Sequence, residues 1–385
     1  MRNTVRSVLA KLYYDLKAVK KRFQLRCLSL TPCTEESCAC EQTAAEDLLS
    51  VYTPPCRFTL PEQTLAEERT FDVSVVIPVY NDEQFIEECL ESVLRQSRDY
   101  RIEIICVDDG STDRTPAILD RYAAERGVQV IHQENAGISA ARNAGIERSR
   151  GKYLLFVDDD DVLDGAFVEK MLGRAISDDA DYVKCGYSIL RDGVVSKVVV
   201  EKKPDREGNI MAYNGYVWGS LIRAELFRQV RFPRGFWYED MITRLLLFPR
   251  CRRFSYVPEP LYTHRMHSRN ASSVLWHARN PKSLDQLYLA RDCFEMAAHV
   301  PDIEITRDYC AAVQYELSAM LFQRTDGLNE DVRKRAFLCA AELNARMTEA
   351  CPDFGTDRTT AVRLLNEAFS RKNFSRWEKI SRLMP

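Results

Sequence analysis

The residues best suited to chemistry in this 385-residue chain are acidic and lie in two places. Asp158, Asp159, Asp160 and Asp161 follow the apolar segment KYLLFV (152–157), and Glu239 and Asp240 stand together farther on. Four adjacent carboxylates repel one another, and holding them beside an apolar segment is costly without a cation. Oxygen ligands suit Mg²⁺ or Mn²⁺, typically held by one or two carboxylates with substrate phosphates completing the shell. Taken alone, the run reads better as a solvated acidic turn capping the next helix, and the Glu-Asp pair better as a stabiliser of a helix's first turn. Their company matters more. Pro78-Val79-Tyr80-Asn81-Asp82 and Asp108-Asp109-Gly110-Ser111 also sit where apolar segments end, and Arg142 follows the Gly137 turn, where a cation can meet a phosphate at a helix start. No GxGxxG follows the first segment, which disfavours a nicotinamide or flavin site.

The elements that must position these residues alternate. VSVVIPVY (73–80), IEIICV (102–107), VQVIH (128–132) and KYLLFV read as strands. Amphipathic stretches over 83–96, up to Gly127, and over 138–149 read as the helices between them. Strands apolar on both faces and joined through single helices pair in parallel, so the class is α/β, with ligands gathering at the carboxyl ends of the strands. Asn81 with Gln84 fits a capping box, and Asp113 is placed to cap the next helix. Beyond Asp161 the alternation breaks. YVKCGYSIL (182–190) and VVSKVVV (194–200) flank Arg191-Asp192-Gly193 as a hairpin. A strand near 217–222 precedes a helix, 239–249 reads as helical, and 256–265 reads as extended around Pro258 and Pro260. From about residue 280 the text is helical and predicts a C-terminal bundle.

A net charge of −3 excludes a generally basic nucleic-acid surface. Charge is unevenly spread, however: residues 1–26 carry eight Lys or Arg against the single acid Asp15, with apolar residues at helical spacing. Such a helix suits an anionic membrane surface or packs on the main domain with its lysines solvated. No transmembrane or secretory stretch is present, so the chain is placed in the cytoplasm, with peripheral contact at the inner face of the cell membrane through residues 1–26. The thirteen cysteines are scattered and read as reduced thiols; Cys27, Cys33, Cys38, Cys40 and Cys56 cluster without the paired spacing of a zinc module.

VSVVIPVYND, IEIICVDDGSTD, ENAGISAARNAGI, GKYLLFVDDDD and FWYED, in that order, closely resemble the family 2 glycosyltransferases, inverting enzymes of the GT-A fold. The resemblance covers roughly 73–275 and implies three parts. These are a lead-in over 1–70, a GT-A nucleotide-sugar-binding catalytic domain with a mostly parallel Rossmann-like sheet over 71–275, and a helical domain over 276–385. It implies that Pro78, Tyr80 and Asp82 surround the nucleotide base and ribose, that Asp109 accepts from the base, and that Arg142 lies close to the nucleotide. Asp158-Asp159-Asp160 matches the DxD element, with Asp160 the direct metal ligand and Asp158 or Asp159 at the ribose or metal-bound water. Glu239-Asp240 matches the acidic dyad, with Asp240 as base. Two departures stand out. VWGSLIR (217–223) has Ser220 where the family often carries Lys, so a basic contact to acceptor or diphosphate is missing. In LYTHRMHSRNASS (261–273), His264, Arg265, His267 and Arg269 compete for the diphosphate, His264 and Arg265 being preferred.

The implied reaction is transfer from a nucleotide-sugar, UDP-sugars being commonest, to a hydroxyl of a glycan or lipid-linked acceptor in surface-polysaccharide synthesis, with Mn²⁺ or Mg²⁺ as cofactor. Two other readings compete. A glycoside hydrolase would use Glu239 and Asp160 as its acid and base but has no use for the aspartate run. A catalytically inactive glycosyltransferase-like scaffold would not need the Glu239-Asp240 pair. Sugar, acceptor and oligomeric state, a homo-oligomer included, are left open.

Overall fold

The computed structural model describes residues 68–96, 99–200, 213–270, 280–300, 302–356 and 360–384, with Lys21, Gln24, Leu25, Leu28 and Leu65. The basic segment 1–26, apart from Lys21, Gln24 and Leu25, lies outside them, as do the N-terminal cysteine cluster and the polar stretch 202–209. The remaining eight cysteines are all free thiols, most of them buried. Among the described residues no helix is long and apolar enough to cross a membrane.

The chain divides into two compact units. The first is α/β, with described residues from within 56–275 and 295–303. Its strands are β1 (Phe71–Val79), β2 (Ile102–Asp108), β3 (Gln129–His132), β4 (Gly151–Phe156), β5 (Val162–Leu163), β6 (Tyr182–Arg191), β7 (Val194–Val199), β8 (Ser220–Arg223) and β9 (Phe254–Met266). They form one sheet in the order β3-β2-β1-β4-β8-β6-β9-β5, with β7 on β6. Helices α1 (Ile86–Leu94), α2 (Thr115–Arg126), α3 (Ile138–Arg148) and α4 (Phe167–Ser177) join or cover it.

The β3-β2-β1-β4 half is parallel throughout, as the strand-helix alternation predicts. Strand β1 is its centre: Val73 to Val79 are buried, so the apolar run has no polar alternation to show. Each fully buried Val or Ile there contributes about 1.5–3 kcal/mol. The other half is mixed. β4 meets β8, and β8 meets β6, antiparallel, while β6 and β9 run parallel. The reversal begins after the aspartate run: β5 pairs antiparallel with β9, and β8 lies antiparallel between β4 and β6. The hairpin forms where expected, with Asp192 at φ 51° and Gly193 at φ 74° supplying its left-handed turn.

Three local expectations are corrected. The capping box at Asn81 does not form. Asn81 has φ 50°, its Oδ1 accepts from Thr112 N at 2.7 Å, and α1 starts only at Ile86. The strand near 217–222 is confined to β8 and leads into a short 3₁₀ turn, Ala224–Phe227. Glu239 and Asp240 stand in a turn before a distorted helical stretch whose middle, Thr243–Leu247, is a π-helix. Asp113 does reach the first turn of α2, its Oδ1 accepting from Thr115 N at 2.9 Å.

The second unit takes its described residues from within 1–55, 276–294 and 304–385, and its C-terminal part is helical as the sequence predicts. Its helices are α5 (Asp285–Ala297), α6 (Arg307–Tyr315), α7 (Leu321–Thr325), α8 (Glu330–Ala350), α9 (Pro352–Gly355), α10 (Thr360–Ser370) and α11 (Phe374–Ser381). Phe337, Phe369, Phe374 and Trp377 pack as one aromatic cluster in its core.

Candidate active site

The acids come together at the carboxyl end of the parallel half, and a buried arginine joins them. Arg142 on α3 is 2% exposed. Its Nη1 donates to Glu239 Oε1 at 2.8 Å and lies 3.6 Å from Asp240 Oδ1, and its Nη2 donates to Asp158 Oδ1 at 3.0 Å. The Phe232 ring lies against the guanidinium, 5.2 Å from ring centre to Cζ. Burial works against this charge, but Asp158, Asp240 and Glu239 outweigh it and raise its pKa. The small residues of AARNAG explain how Arg142 is buried. Where α3 crosses β1, a Cβ on Gly145 would meet Val76 Cγ1 at 2.2 Å, so the helix lies close on the sheet. In the structure the donors of Arg142 face carboxylates.

Each member of the aspartate run has different surroundings. Asp158 takes the arginine. Asp159 Oδ2 accepts from the backbone N of Tyr80 at 3.0 Å, and its carboxyl is pushed well up by burial and then by Asp82 and Asp160. Asp160 Oδ2 accepts from His267 Nε2 and from Asn270 Nδ2, both at 2.8 Å. Burial and Asp158 raise Asp160, against the opposing pull of His267. Asp161 is wholly buried and is an anchor for β9: Tyr262 Oη donates to it at 2.6 Å and Arg265 N at 2.7 Å, and His264 Nδ1 lies 3.2 Å away. Burial pushes Asp161 up to about 7.

The two histidines are divided between two aspartates. His264 is committed to Asp161 and stacked on Trp218, while Arg265 donates through Nη2 to Glu88 at 2.7 Å and through Nε to the Asp160 carbonyl at 2.8 Å. His267, which the sequence left as a competitor, is the histidine at Asp160. Arg269 lies 3.5 Å from Asp82 Oδ1, beside Asn81 and Gln84.

At the end of β1, just beyond Pro78, Tyr80 is 50% exposed. Asp82 is buried and pushed up to about 6, first by burial and then by Asp160. Asp109 receives Gln133 Nε2 at 2.6 Å, Ala136 N at 2.9 Å and Gly137 N at 2.8 Å, fixing the turn that launches α3.

Asp240 stands beside Glu239 and the Arg142 guanidinium. Its Oδ1 has no hydrogen-bond partner among the described residues, and burial pushes its carboxyl up to about 7 against the pull of Arg142 and Lys184. Lys184 is a residue that sequence reasoning passed over. It lies on β6 directly across from Ser220 in the strand register, and its buried Nζ donates to Tyr216 O at 2.9 Å and Ser220 Oγ at 3.3 Å. A buried ammonium from the neighbouring strand thus stands beside position 220. The only signal in the sequence was a lysine inside an otherwise apolar strand.

The donor set fits a hard divalent cation that relies on its substrate. Asp158, Asp159 and Asp160 are crowded carboxyls, and burial with mutual repulsion raises the latter two; a cation relieves that strain. Among the described residues no group of three or more His, Cys, Asp or Glu is arranged to hold a metal, so phosphate oxygens and water would have to complete the shell.

The family model described as Glycosyl transferase family 2 matches residues 74–231. The chain is 34% identical over 243 residues to the uncharacterized glycosyltransferase EpsJ of Bacillus subtilis (strain 168), covering 58% of this chain and 69% of EpsJ. It is 35% identical over 214 residues to the putative glycosyltransferase EpsH of the same organism, covering 51% of this chain and 61% of EpsH. In fold it is similar to residues 1–349 of S. aureus TarS, solved in complex with UDP-GlcNAc. The TM-score is 0.62 at 19% identity, over 81% of this chain and 90% of that one.

Proposed function

Since the chain belongs to glycosyltransferase family 2, we propose that it moves a sugar from a nucleotide-sugar to a hydroxyl of a glycan or lipid-linked acceptor, with inversion, in surface-polysaccharide synthesis. A UDP-sugar is the donor we assign, by analogy with the UDP-GlcNAc complex of TarS. One observation carries the reading: the Arg142 guanidinium holds the Glu239-Asp240 pair and Asp158 together, so a base and a phosphate-side acid cluster share one site.

In the mechanism, Asp240 takes the proton of the acceptor hydroxyl as its oxygen attacks the anomeric carbon, and the bond from that carbon to the diphosphate oxygen breaks on the opposite face. Arg142 orients the base and Glu239. Tyr80 and Asp82 would border the nucleotide. Asp160 and Asp158, with His267 beside Asp160, would hold Mn²⁺ or Mg²⁺, which when bound supplies positive charge to the departing diphosphate. Residues 1–26 we assign to an anionic membrane surface, where lipid-linked acceptors lie.

Asp240→Asn separates binding from transfer. The variant is expected to keep the rise in melting temperature caused by UDP with Mn²⁺, and to lose transfer by two or more orders of magnitude (~10²–10⁴ for a general base). Unchanged turnover removes Asp240 from the mechanism, and a wild-type chain unshifted by every nucleotide-sugar tested overturns the donor reading.

A further inference from the structure

Phe85 occupies a position that its residue type does not suit. It is the N-cap of α1, where a side chain that accepts from the first turn is favoured, and it makes no such bond. The Asp82 carbonyl accepts from Ile86 N at 3.1 Å instead. The Phe85 ring is only half buried. What the ring does hold is the turn that follows β9. The Arg265 guanidinium lies over it with Cζ 4.6 Å from the ring centre, the His267 ring is 5.2 Å away at 32°, and Arg269 Cζ is 6.0 Å away. Residues beside Phe85 complete the seat: Glu88 accepts from Arg265 Nη2 at 2.7 Å and Gln84 from Arg269 Nη2 at 3.1 Å. The turn is closed by its own bonds. His267 N donates to Asn270 Oδ1, Arg269 N to His267 Nδ1 at 3.2 Å, and Asn270 N to His267 O at 3.3 Å. With Nδ1 accepting, Nε2 carries the proton that goes to Asp160 Oδ2 at 2.8 Å.

We propose that Phe85 is a positioning residue for the donor diphosphate: its ring seats the basic turn 265–270 and so fixes where His267 and Arg269 stand beside Asp160 and Asp82. This rests on the reading that the nucleotide and its cation bind at those acids. An aromatic face attracts cations through its quadrupole, and its rigidity holds them in one place. Without it, the long arginine side chains would keep their charged heads in water and their rotamer freedom. A leucine fills much of the same space but has no negative face. Seated, the turn brings His267 and Asn270 to Asp160, and Arg269 to within 3.5 Å of Asp82. Positive charge therefore stands at the acids assigned to the cation and the nucleotide, and a diphosphate arriving there meets it without first having to order the chain.

The test compares wild type with Phe85→Tyr, which keeps the ring, and with Phe85→Leu and Phe85→Met, which do not, all as full chains. Hydrogen exchange without ligand reads the seat directly, because the amides of His267, Arg269 and Asn270 bond within the turn. The two ring-less variants are expected to keep the wild-type melting temperature and to exchange roughly tenfold faster over 265–270 alone. Phe85→Tyr should exchange as wild type does. Calorimetry with UDP and Mn²⁺ should find affinity lowered about fivefold in the ring-less variants, or about 1 kcal/mol, the size of one cation–π contact, and restored in Phe85→Tyr. Unchanged exchange or unchanged UDP affinity in the ring-less variants overturns the proposal, as does a Tyr variant that behaves like the Leu variant. Loss of the fold in both ring-less variants overturns it too, since Phe85 would then be a core residue. Failure of wild type to bind UDP is the separate failure of the donor reading and takes the diphosphate role with it, while the exchange comparison still decides whether the ring seats the turn.

Discussion

Arg142 carries its charge almost out of contact with water, and carboxylates on three sides make that tolerable: Asp158 from the end of β4, and Glu239 and Asp240 from the turn before the π-helix. Removing it would leave acids without their counter-ion, so Arg142→Met should lose transfer and also stability, by about 3–5 kcal/mol as for a broken buried ion pair, read from denaturant midpoints. The ionisation of Asp240 makes a second expectation. Burial raises its pKa to about 7, so the base is protonated and idle below that value. kcat/KM should fall as pH drops through about 7 and level off above it. Lys184 pulls the same group down, so Lys184→Met should move this acid limb to higher pH. A limb that stays in place in the pH-rate profile would separate Lys184 from the base.

At the scale of elements, the site depends on how closely α3 approaches β1. Gly145 and the flanking Ala140, Ala141 and Ala144 let the helix settle on Val76, which sinks Arg142 to the level of the strand ends. Gly145→Ala puts a methyl where Val76 already stands, and Val76 is fully buried with nowhere to turn. It should cost about 1–3 kcal/mol as an overpacked core and lower kcat along with stability, because the displaced helix carries Arg142 with it. Thermal melting and single-turnover rates check the two effects. Strand β9 is the other positioning element. Asp161 receives Tyr262, His264 and the Arg265 backbone, and this leaves His267 and Asn270 to meet Asp160.

Across the whole molecule, an α/β unit and a helical unit account for the described residues. The chain carries a net charge of −3, and residues 1–26 hold eight Lys or Arg against one acid, so the remainder is net acidic. If that segment serves a membrane-borne acceptor, the full-length protein should float with vesicles rich in anionic lipid and release as salt rises, while a chain lacking 1–26 stays in the soluble fraction. Equal flotation of both would assign the segment to packing.

The parallel half of the sheet, the hairpin and the helical C-terminal part were legible in the sequence, because uninterrupted apolar strands, a Gly-containing turn and helical periodicity are local signals. The candidate acids were legible for the same reason, as each closes an apolar strand or precedes a helical run. What a local signal cannot carry is which neighbour a side chain faces. Arg142 reads in the sequence as a cation at a helix start, and only folding sets it among carboxylates distant in sequence; Asp109 reads as an acid at a strand end, and only folding brings it the backbone N–H groups of Ala136 and Gly137. Ser220 looked like a missing cation until strand register put Lys184 across from it. His264 and His267, three residues apart, were divided between two aspartates only by the path of β9. The sequence by itself determined the class of chemistry, since residue types at strand ends limit what can be bound. The tertiary structure decided each role, because burial, register and charge pairing arise only when segments far apart in the chain meet.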